Sequence, residues 1–300
     1  VRLTFLGTAG SWPTKERSAS AIALDTEREL VLLDCGEGTQ RQFFQSSASF
    51  MRVRRIFITH FHGDHFLGLP GLIQSMNLNN RTEPLDIYGP PDAQPILDQV
   101  LRLGYFTLRY PVHVHPLQPD QTVELPGYTV RTAHADHPVP SLAYRLDEGE
   151  KRGRFDGEKA RSLGIRGADF GRLEAGETVR VGDRVVHPHD VMGPPRPGRS
   201  IVYSGDSAPS DEIRRLATRA TLLIHESTTG VELEKEANAW GHSSARQAAQ
   251  LAKEAEVAML FLTHFSSRYK EVLPLEEEAK AVFNSSLAAR DLLDHLIRQP

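Results

Sequence analysis

The stretch Thr59-His60-Phe61-His62-Gly63-Asp64-His65 places four side chains able to hold a metal within six residues, directly behind the apolar run Ile56-Phe57-Ile58. Two imidazoles two positions apart at the mouth of a strand can point at one ion, while Asp64 and His65 turn towards a second. A solvated histidine-rich loop or a tag-like tract is the bland alternative. Such a tract would not sit in mid-chain between a strand pattern and a helix pattern.

Working outward, 300 residues suffice for one large domain or two ordinary ones, with an ample core either way. With 39% apolar and 25% charged residues the composition is that of an ordinary globular protein. No window approaches the roughly 18 uninterrupted apolar residues of a membrane span. Cys35 is the only cysteine, which excludes an intrachain disulfide and a thiolate-rich zinc site. The first residues, Arg2-Leu-Thr-Phe-Leu6, enter a strand pattern without a basic-then-apolar leader, so a reducing, cytoplasmic setting is expected. A net charge of -4 argues against a generally basic nucleic-acid coat. It leaves room for a local basic patch, and bound cations would add positive charge where phosphates must go.

Short apolar strands alternate with amphipathic segments. Strands are expected at 2–6, 20–25, 29–34, 54–59, 84–88, 112–116, 128–133, 141–146, 201–204, 221–225 and 258–263. Helices are expected at 39–48, 66–79, 91–103, 209–218, 242–256 and 274–283, with Pro91 suited to one start and His242 or Ser243 to another. Both halves deliver acids and imidazoles at strand ends: Asp34 and His60 in the first, Asp206, His225 and His264 in the second. This describes two similar sheet-and-helix halves facing each other. Residues 149–198 break the pattern, holding ten of the 23 glycines together with Pro188, Pro194, Pro195 and Pro197. That segment reads either as a flexible linker or as a protruding functional insertion.

Two metals need more ligands than His60, His62, Asp64 and His65 provide. A carboxylate shared by both ions is the economical solution, and Asp206 fits it, since Gly205 permits a sharp turn after a buried strand. His264 ends the strongest apolar strand, where the plainer reading is a hydrogen-bonded core histidine. Ala133-His-Ala-Asp-His137 offers both His134 and His137, and strand alternation does not choose between them. His113, His115, His187 and His189 follow no strong apolar strand and read as surface or structural residues.

The segment Thr59 to His65 resembles the metal signature of the metallo-β-lactamase superfamily, and its surroundings are similar to ribonuclease Z. The similarity runs nearly end to end, through Phe5-Leu-Gly-Thr8, Pro13-Thr-Lys-x-Arg17, Leu33-Asp-Cys-Gly-Glu-Gly-Thr-Gln40, His137-x-Val-Pro-Ser-x-x-Tyr-Arg145 and Gly198-Arg-Ser200. It continues through Ser204-Gly-Asp206, His225-Glu-Ser-Thr228, Gly241-His-Ser-Ser244 and Thr263-His-Phe-Ser-Ser-Arg-Tyr269. Each string is weak alone; in this order and spacing they are strong together.

The resemblance implies an α/β fold, the four-layer αββα sandwich of the superfamily. It spans 1–300 as one hydrolase domain, with 149–198 inserted as a flexible arm that clamps tRNA. It implies two Zn2+ per subunit, the first on His60, His62, His137 and Asp206, the second on Asp64, His65, Asp206 and His264. His137 rather than His134 matches the ligand before Val-Pro-Ser, and Asp34 would orient the ligand loop. The implied activity is removal of the 3′ trailer from precursor tRNA, leaving a 3′-hydroxyl on the tRNA and a 5′-phosphate on the trailer. Asp64 would accept the proton of the attacking water, His242 would protonate the leaving oxygen, Glu226 would orient His242, and Arg268 would bind the phosphate. The plainer readings are a strand-end surface charge for Glu226 and a surface arginine for Arg268. A cytoplasmic homodimer without membrane contact is also implied.

In the arm, the family pattern Gly-Pro-x-x-Gly-x-Leu-Lys reads Gly167-Ala-Asp-Phe-Gly-Arg-Leu-Glu174, with Ala168 for Pro and Glu174 for Lys. The exchange removes a rigid residue and reverses a charge that could meet RNA phosphates. Two rival enzymes could use the same cluster: a phosphodiesterase for small substrates, or an arylsulfatase-like hydrolase. Neither needs a long arm. A non-catalytic RNA-binding or scaffold subunit would have no use for seven ligands together with His242 and Glu226.

Overall fold

In Leu30-Val31-Leu32-Leu33 every side chain is buried, yet successive ones serve different cores: Val31 and Leu33 join one cluster, Leu30 and Leu32 another. A strand with both faces covered reads as a continuous apolar run, and this one carries the layering of the fold. The computed structural model describes residues 1–299 as two compact units. One comprises Val1–Asp147 with Ser200–Arg298, the other Glu148–Arg199 with Gln299.

The first unit begins with β1 (Arg2–Gly7), β2 (Ala21–Asp25), β3 (Leu30–Leu33), α1 (Thr39–Gln45), β4 (Val53–Phe57), α2 (Gly63–Phe66) and α3 (Leu69–Leu78). Then come β5 (Leu85–Gly89), α4 (Ala93–Leu101), β6 (Val112–Pro116), β7 (Thr122–Leu125), β8 (Tyr128–His134) and β9 (Leu142–Glu148). The second unit holds α5 (Gly157–Ser162), α6 (Asp169–Glu174), β10 (Val179–Val181), β11 (Arg184–Val186) and α7 (Pro188–Val191). The chain returns through β12 (Ser200–Tyr203), α8 (Asp211–Ala217), β13 (Leu222–Glu226), α9 (Glu234–Ala239) and α10 (Ala245–Glu254). It ends with β14 (Leu260–Thr263), α11 (Leu273–Val282), β15 (Ser286–Ala288) and β16 (Asp294–Leu296).

Two seven-stranded sheets result, ordered β16-β1-β2-β3-β4-β5-β6 and β15-β14-β13-β12-β9-β8-β7. Between them lies a core that includes Phe5, Leu33, Phe57, Tyr144, Tyr203 and Phe261. Each fully buried Leu or Phe there contributes roughly 1.5–3 kcal/mol. A second core packs Leu32, Ile56 and Ile58 against Leu72, Ile73 and Met76 of α3. A third packs Val202, Leu223 and Leu262 against Ile213 of α8, Ala248 of α10 and Leu275 of α11. Helix, sheet, sheet and helix therefore stack as the αββα sandwich.

Several boundaries differ from the sequence reading. The helix expected at 66–79 is α3, which starts later, at Leu69, after the chain passes Gly68, where a Cβ would lie 2.1 Å from the Gly36 carbonyl oxygen; the short α2 before it was not expected. The helix expected at 242–256 starts later. Ser244 accepts from Gln247 N at 3.1 Å while the Gln247 side chain accepts from Ser244 N, a capping box that makes Ala245 the first helical residue. His242 and Ser243 are thereby left in the preceding loop. Pro91 also lies outside its helix, since α4 begins at Ala93. Strands β7, β15 and β16, the hairpin β10–β11 and helix α9 went unread because they are short and, in β7 and β16, largely exposed.

The second unit is more ordered than its glycine content suggests. Ala160, Ile165, Leu173, Val179, Val186 and Val191 form its own small core. Ala168 keeps φ -64°, the angle a proline ring would impose, so the backbone turn survives the loss of proline. Where the chain enters and leaves this unit, Arg199 grips the Glu148 carboxylate through Nε at 2.5 Å and Nη2 at 2.8 Å. Burial opposes ionisation of Glu148, but the Arg199 bonds outweigh it and hold the pKa at about 2, below the ordinary 4.5. A folded value below the unfolded one stabilises above the ordinary pKa and is lost as pH falls towards the folded one. Glu148→Gln is therefore expected to speed amide exchange across 148–199 at neutral pH. The gap to the wild type should close as the pH falls towards 2; a gap that persists there would contradict the ion pair as its cause.

Candidate metal centre

The centre is built on Asp34, which leaves β3 in the left-handed region at φ 56° and is fully buried. Its carboxylate accepts from Thr59 N at 2.7 Å, from Thr59 Oγ1 at 2.9 Å and from Tyr203 OH at 2.8 Å. His65 Nδ1 lies 2.7 Å from Asp34 Oδ2 and donates to it, which leaves His65 Nε2 free as a ligand atom. Asp34 thus ties the end of β4, helix α2 and β12 together. The same logic holds at the other imidazoles. His60 Nδ1 meets Thr59 Oγ1 at 3.1 Å, His137 Nδ1 meets the Gly241 carbonyl at 2.9 Å, and His264 Nδ1 meets Thr228 Oγ1 at 2.9 Å.

The other ring nitrogens converge. His60, His62 and His137 bring ligand atoms within 4.8 Å of one another, as do His60, His65 and Asp206, and Asp64, His65 and His264. Asp206 Oδ2 stands between the groups, 3.7 Å from His60 Nε2, 3.3 Å from His65 Nε2 and 3.2 Å from His264 Nε2. His137 Nε2 lies 3.1 Å from His62 Nδ1. His134, by contrast, sits at the exposed end of β8, 3.9 Å from Glu212. Gly241 takes φ 75°, and a Cβ there would lie 2.6 Å from Pro138 and 2.8 Å from the His137 ring, so only glycine brings this carbonyl to His137. Ser11 N donates to Asp64 Oδ2 at 2.7 Å, a contact that no motif spacing foretold.

The electrostatics suit a cation. Burial opposes charge on His65, yet Asp206, Asp34 and Asp64 outweigh it and raise its pKa well above the ordinary value. Burial and the neighbouring His65 hold His60 neutral. The positive charge that three acids draw onto His65 is the charge a bound cation supplies. His60 Nε2 and Asp206 Oδ1 are both buried without a hydrogen-bond partner. Such orphaned atoms cost about 1–3 kcal/mol each. A divalent cation ligated by imidazole and carboxylate satisfies both, so the residues fit a metal.

Beside this cluster His242 Nδ1 lies 2.9 Å from Glu226 Oε1 and 3.8 Å from Asp206 Oδ2. Glu226 is buried and also accepts from Ser207 N at 3.1 Å and from Thr228 N and Oγ1 at 3.0 and 2.8 Å. It is a held carboxylate rather than a surface charge. Burial lowers the His242 pKa, but Glu226 and Asp206 outweigh it and raise the value to about 9. Arg268 lies in the turn after His264, where Tyr269 N bonds the Ser266 carbonyl, and is exposed. Thr228 had no role in the sequence reading; it bridges Glu226 and His264, and its signal was the string His225-Glu-Ser-Thr228.

The chain is similar to proteins of known family. Residues 1–150 match the family model described as anti-Pycsar protein Apyc1. Ribonuclease Z of Methanosarcina acetivorans is 46% identical over 98% of this chain and 97% of its own length. Ribonuclease Z of Methanothermobacter thermautotrophicus is 48% identical over 98% and 95%. Among solved structures, human tRNase Z, short form, superposes with a TM-score of 0.73 at 28% identity, covering 99% of this chain and all of that one.

Proposed function

Since the chain belongs to the ribonuclease Z family, with residues 1–150 also in the family of the anti-Pycsar protein Apyc1, we propose that a two-zinc centre carries out its reaction. The chain is a tRNA 3′-processing endoribonuclease, a hydrolase acting on precursor tRNA. His60, His62, His137 and Asp206 would hold one Zn2+, and Asp64, His65, Asp206 and His264 the other. When bound, such a pair would supply Lewis acidity and lower the pKa of a bound water towards neutrality.

The chain's own groups handle the protons. Asp64, held by Ser11 N, accepts the proton of the attacking water. The water oxygen bonds to phosphorus as the bond from phosphorus to the tRNA 3′ oxygen breaks. His242, its Nδ1 engaged by Glu226, donates from Nε2 to that leaving oxygen. The products are a tRNA 3′-hydroxyl and a trailer 5′-phosphate, and Arg268 would bind the phosphate. The observation that carries this reading is the His242–Glu226 pair set beside a seven-residue ligand cluster drawn from both sheets.

Residues 149–198 are proposed as the tRNA-gripping arm. Arg152, Arg154, Lys159, Arg161, Arg166, Arg172, Arg180 and Arg184 are all exposed there, and contacts of this kind to phosphate are salt-dependent. Deleting residues 155–190 behind a short linker is expected to raise KM for precursor tRNA about tenfold or more, most steeply at moderate salt. Hydrolysis of bis(p-nitrophenyl) phosphate should hardly change, since every proposed ligand lies outside the deletion. Normal tRNA processing by the deletion variant would reduce the unit to a spacer.

A cytoplasmic homodimer completes the proposal. It is supported by the resemblance and, for the compartment, by the single, buried cysteine. No described helix is long and apolar enough to cross a membrane.

A further inference from the structure

Three ligand-type side chains meet away from the catalytic centre, at the edge of the first sheet. β6 is the last strand there, and its alternation puts His113 and His115 on one face. β5 pairs with it in parallel, Asp86 opposite His113 and Tyr88 opposite His115. Both imidazoles converge on a single oxygen: His113 Nδ1 lies 3.2 Å and His115 Nε2 3.0 Å from Asp86 Oδ1. The three ligand atoms fall within 4.8 Å of one another, as those of Asp64, His65 and His264 do in the catalytic cluster.

The surroundings hold these groups in place. The His115 ring stacks on Tyr88 with centroids 4.5 Å apart and planes at 17°, and Tyr88 stacks on Phe57 at 4.6 Å. Arg55, opposite Asp86 on β4, is already ion-paired with Glu29. The side chain of Asp86 is 24% exposed, that of His115 40% and that of His113 55%, so one side of the cluster is open to water. Two imidazoles and a carboxylate with an open position make a donor set suited to borderline divalent ions.

From this arrangement we infer that Asp86, His113 and His115 form a separate site for a first-row divalent cation of the zinc type, with water completing the coordination. A bound ion fastens the edge strand β6 to β5, where unpaired strand edges otherwise invite association. The inference stands independently of the ribonuclease Z reading.

The test counts metal on the full chain. The protein is stripped with a chelator, reloaded with Zn2+ alone, freed of loose ion by gel filtration and analysed by inductively coupled plasma mass spectrometry. The wild type is expected to carry about one more equivalent per chain than the double variant His113→Ala/His115→Ala. Hydrolysis of bis(p-nitrophenyl) phosphate should agree within about twofold between them, because neither residue belongs to the catalytic cluster. Equal zinc in the two proteins overturns the site. Should circular dichroism show the double variant unfolded, Asp86→Asn takes its place, and full zinc retention by that variant overturns the site equally.

Discussion

Asp206→Ala is expected to strip both ions from the catalytic centre, because Asp206 Oδ2 stands within 3.7 Å of His60, His65 and His264 at once. Activity on precursor tRNA should fall by more than the roughly 10²–10³-fold that follows loss of one transition-state donor. His264→Ala is expected to act more locally, emptying mainly the position shared with Asp64 and His65. Metal analysis beside the rate distinguishes the two variants. Asp206 is buried, so Asp206→Asn serves as the shape-preserving control. Two ions retained in folded Asp206→Ala would contradict the bridging assignment.

His242→Ala should lower kcat for precursor tRNA by ~10²–10⁴-fold with metal content intact. On bis(p-nitrophenyl) phosphate, whose leaving group scarcely needs a proton, the loss should be far smaller. Equal losses on both substrates would make His242 a positioning residue. The pH dependence has a definite sign. Burial opposes charge on His242, but Glu226 and Asp206 raise its pKa to about 9. Glu226, which is not a proposed metal ligand, continues to favour the acid form, and the rate on precursor tRNA should decline as pH rises through the His242 pKa. In His242→Ala that alkaline decline should disappear.

How legible the centre was depends on where the deciding contacts lie in the chain. His60, His62, Asp64 and His65 could be read because one strand end and one helical turn carry all four. His137 could not be told from His134 by alternation, because β8 ends at His134 and the chain then turns. What orients His137 is the carbonyl of Gly241, over a hundred residues away, and only the family resemblance reached that far. The supporting contacts of Ser11 N, Thr59 and Thr228 are likewise long-range or backbone-borne and leave no local spacing to read.

At the level of the fold, fully buried strands such as β3 and β14 announced themselves through continuous apolar runs. Strands such as β7 and β16 did not, being short and partly exposed. The core of residues 149–198 was hard to read, because Ala160, Ile165, Leu173, Val179, Val186 and Val191 are scattered among glycines and charges. The start of α10 was legible in Ser244-x-x-Gln247, a capping pattern the sequence reading passed over in favour of His242 or Ser243.

The most direct test is cleavage of a 3′-extended precursor tRNA by the purified chain, with the new ends mapped and bis(p-nitrophenyl) phosphate run in parallel. The expected result is a single cut that leaves a tRNA 3′-hydroxyl and a trailer 5′-phosphate, abolished by a chelator and restored by Zn2+. Chelator-sensitive hydrolysis of the small phosphodiester with the precursor tRNA left intact would contradict the account and return the centre to a small-substrate phosphodiesterase.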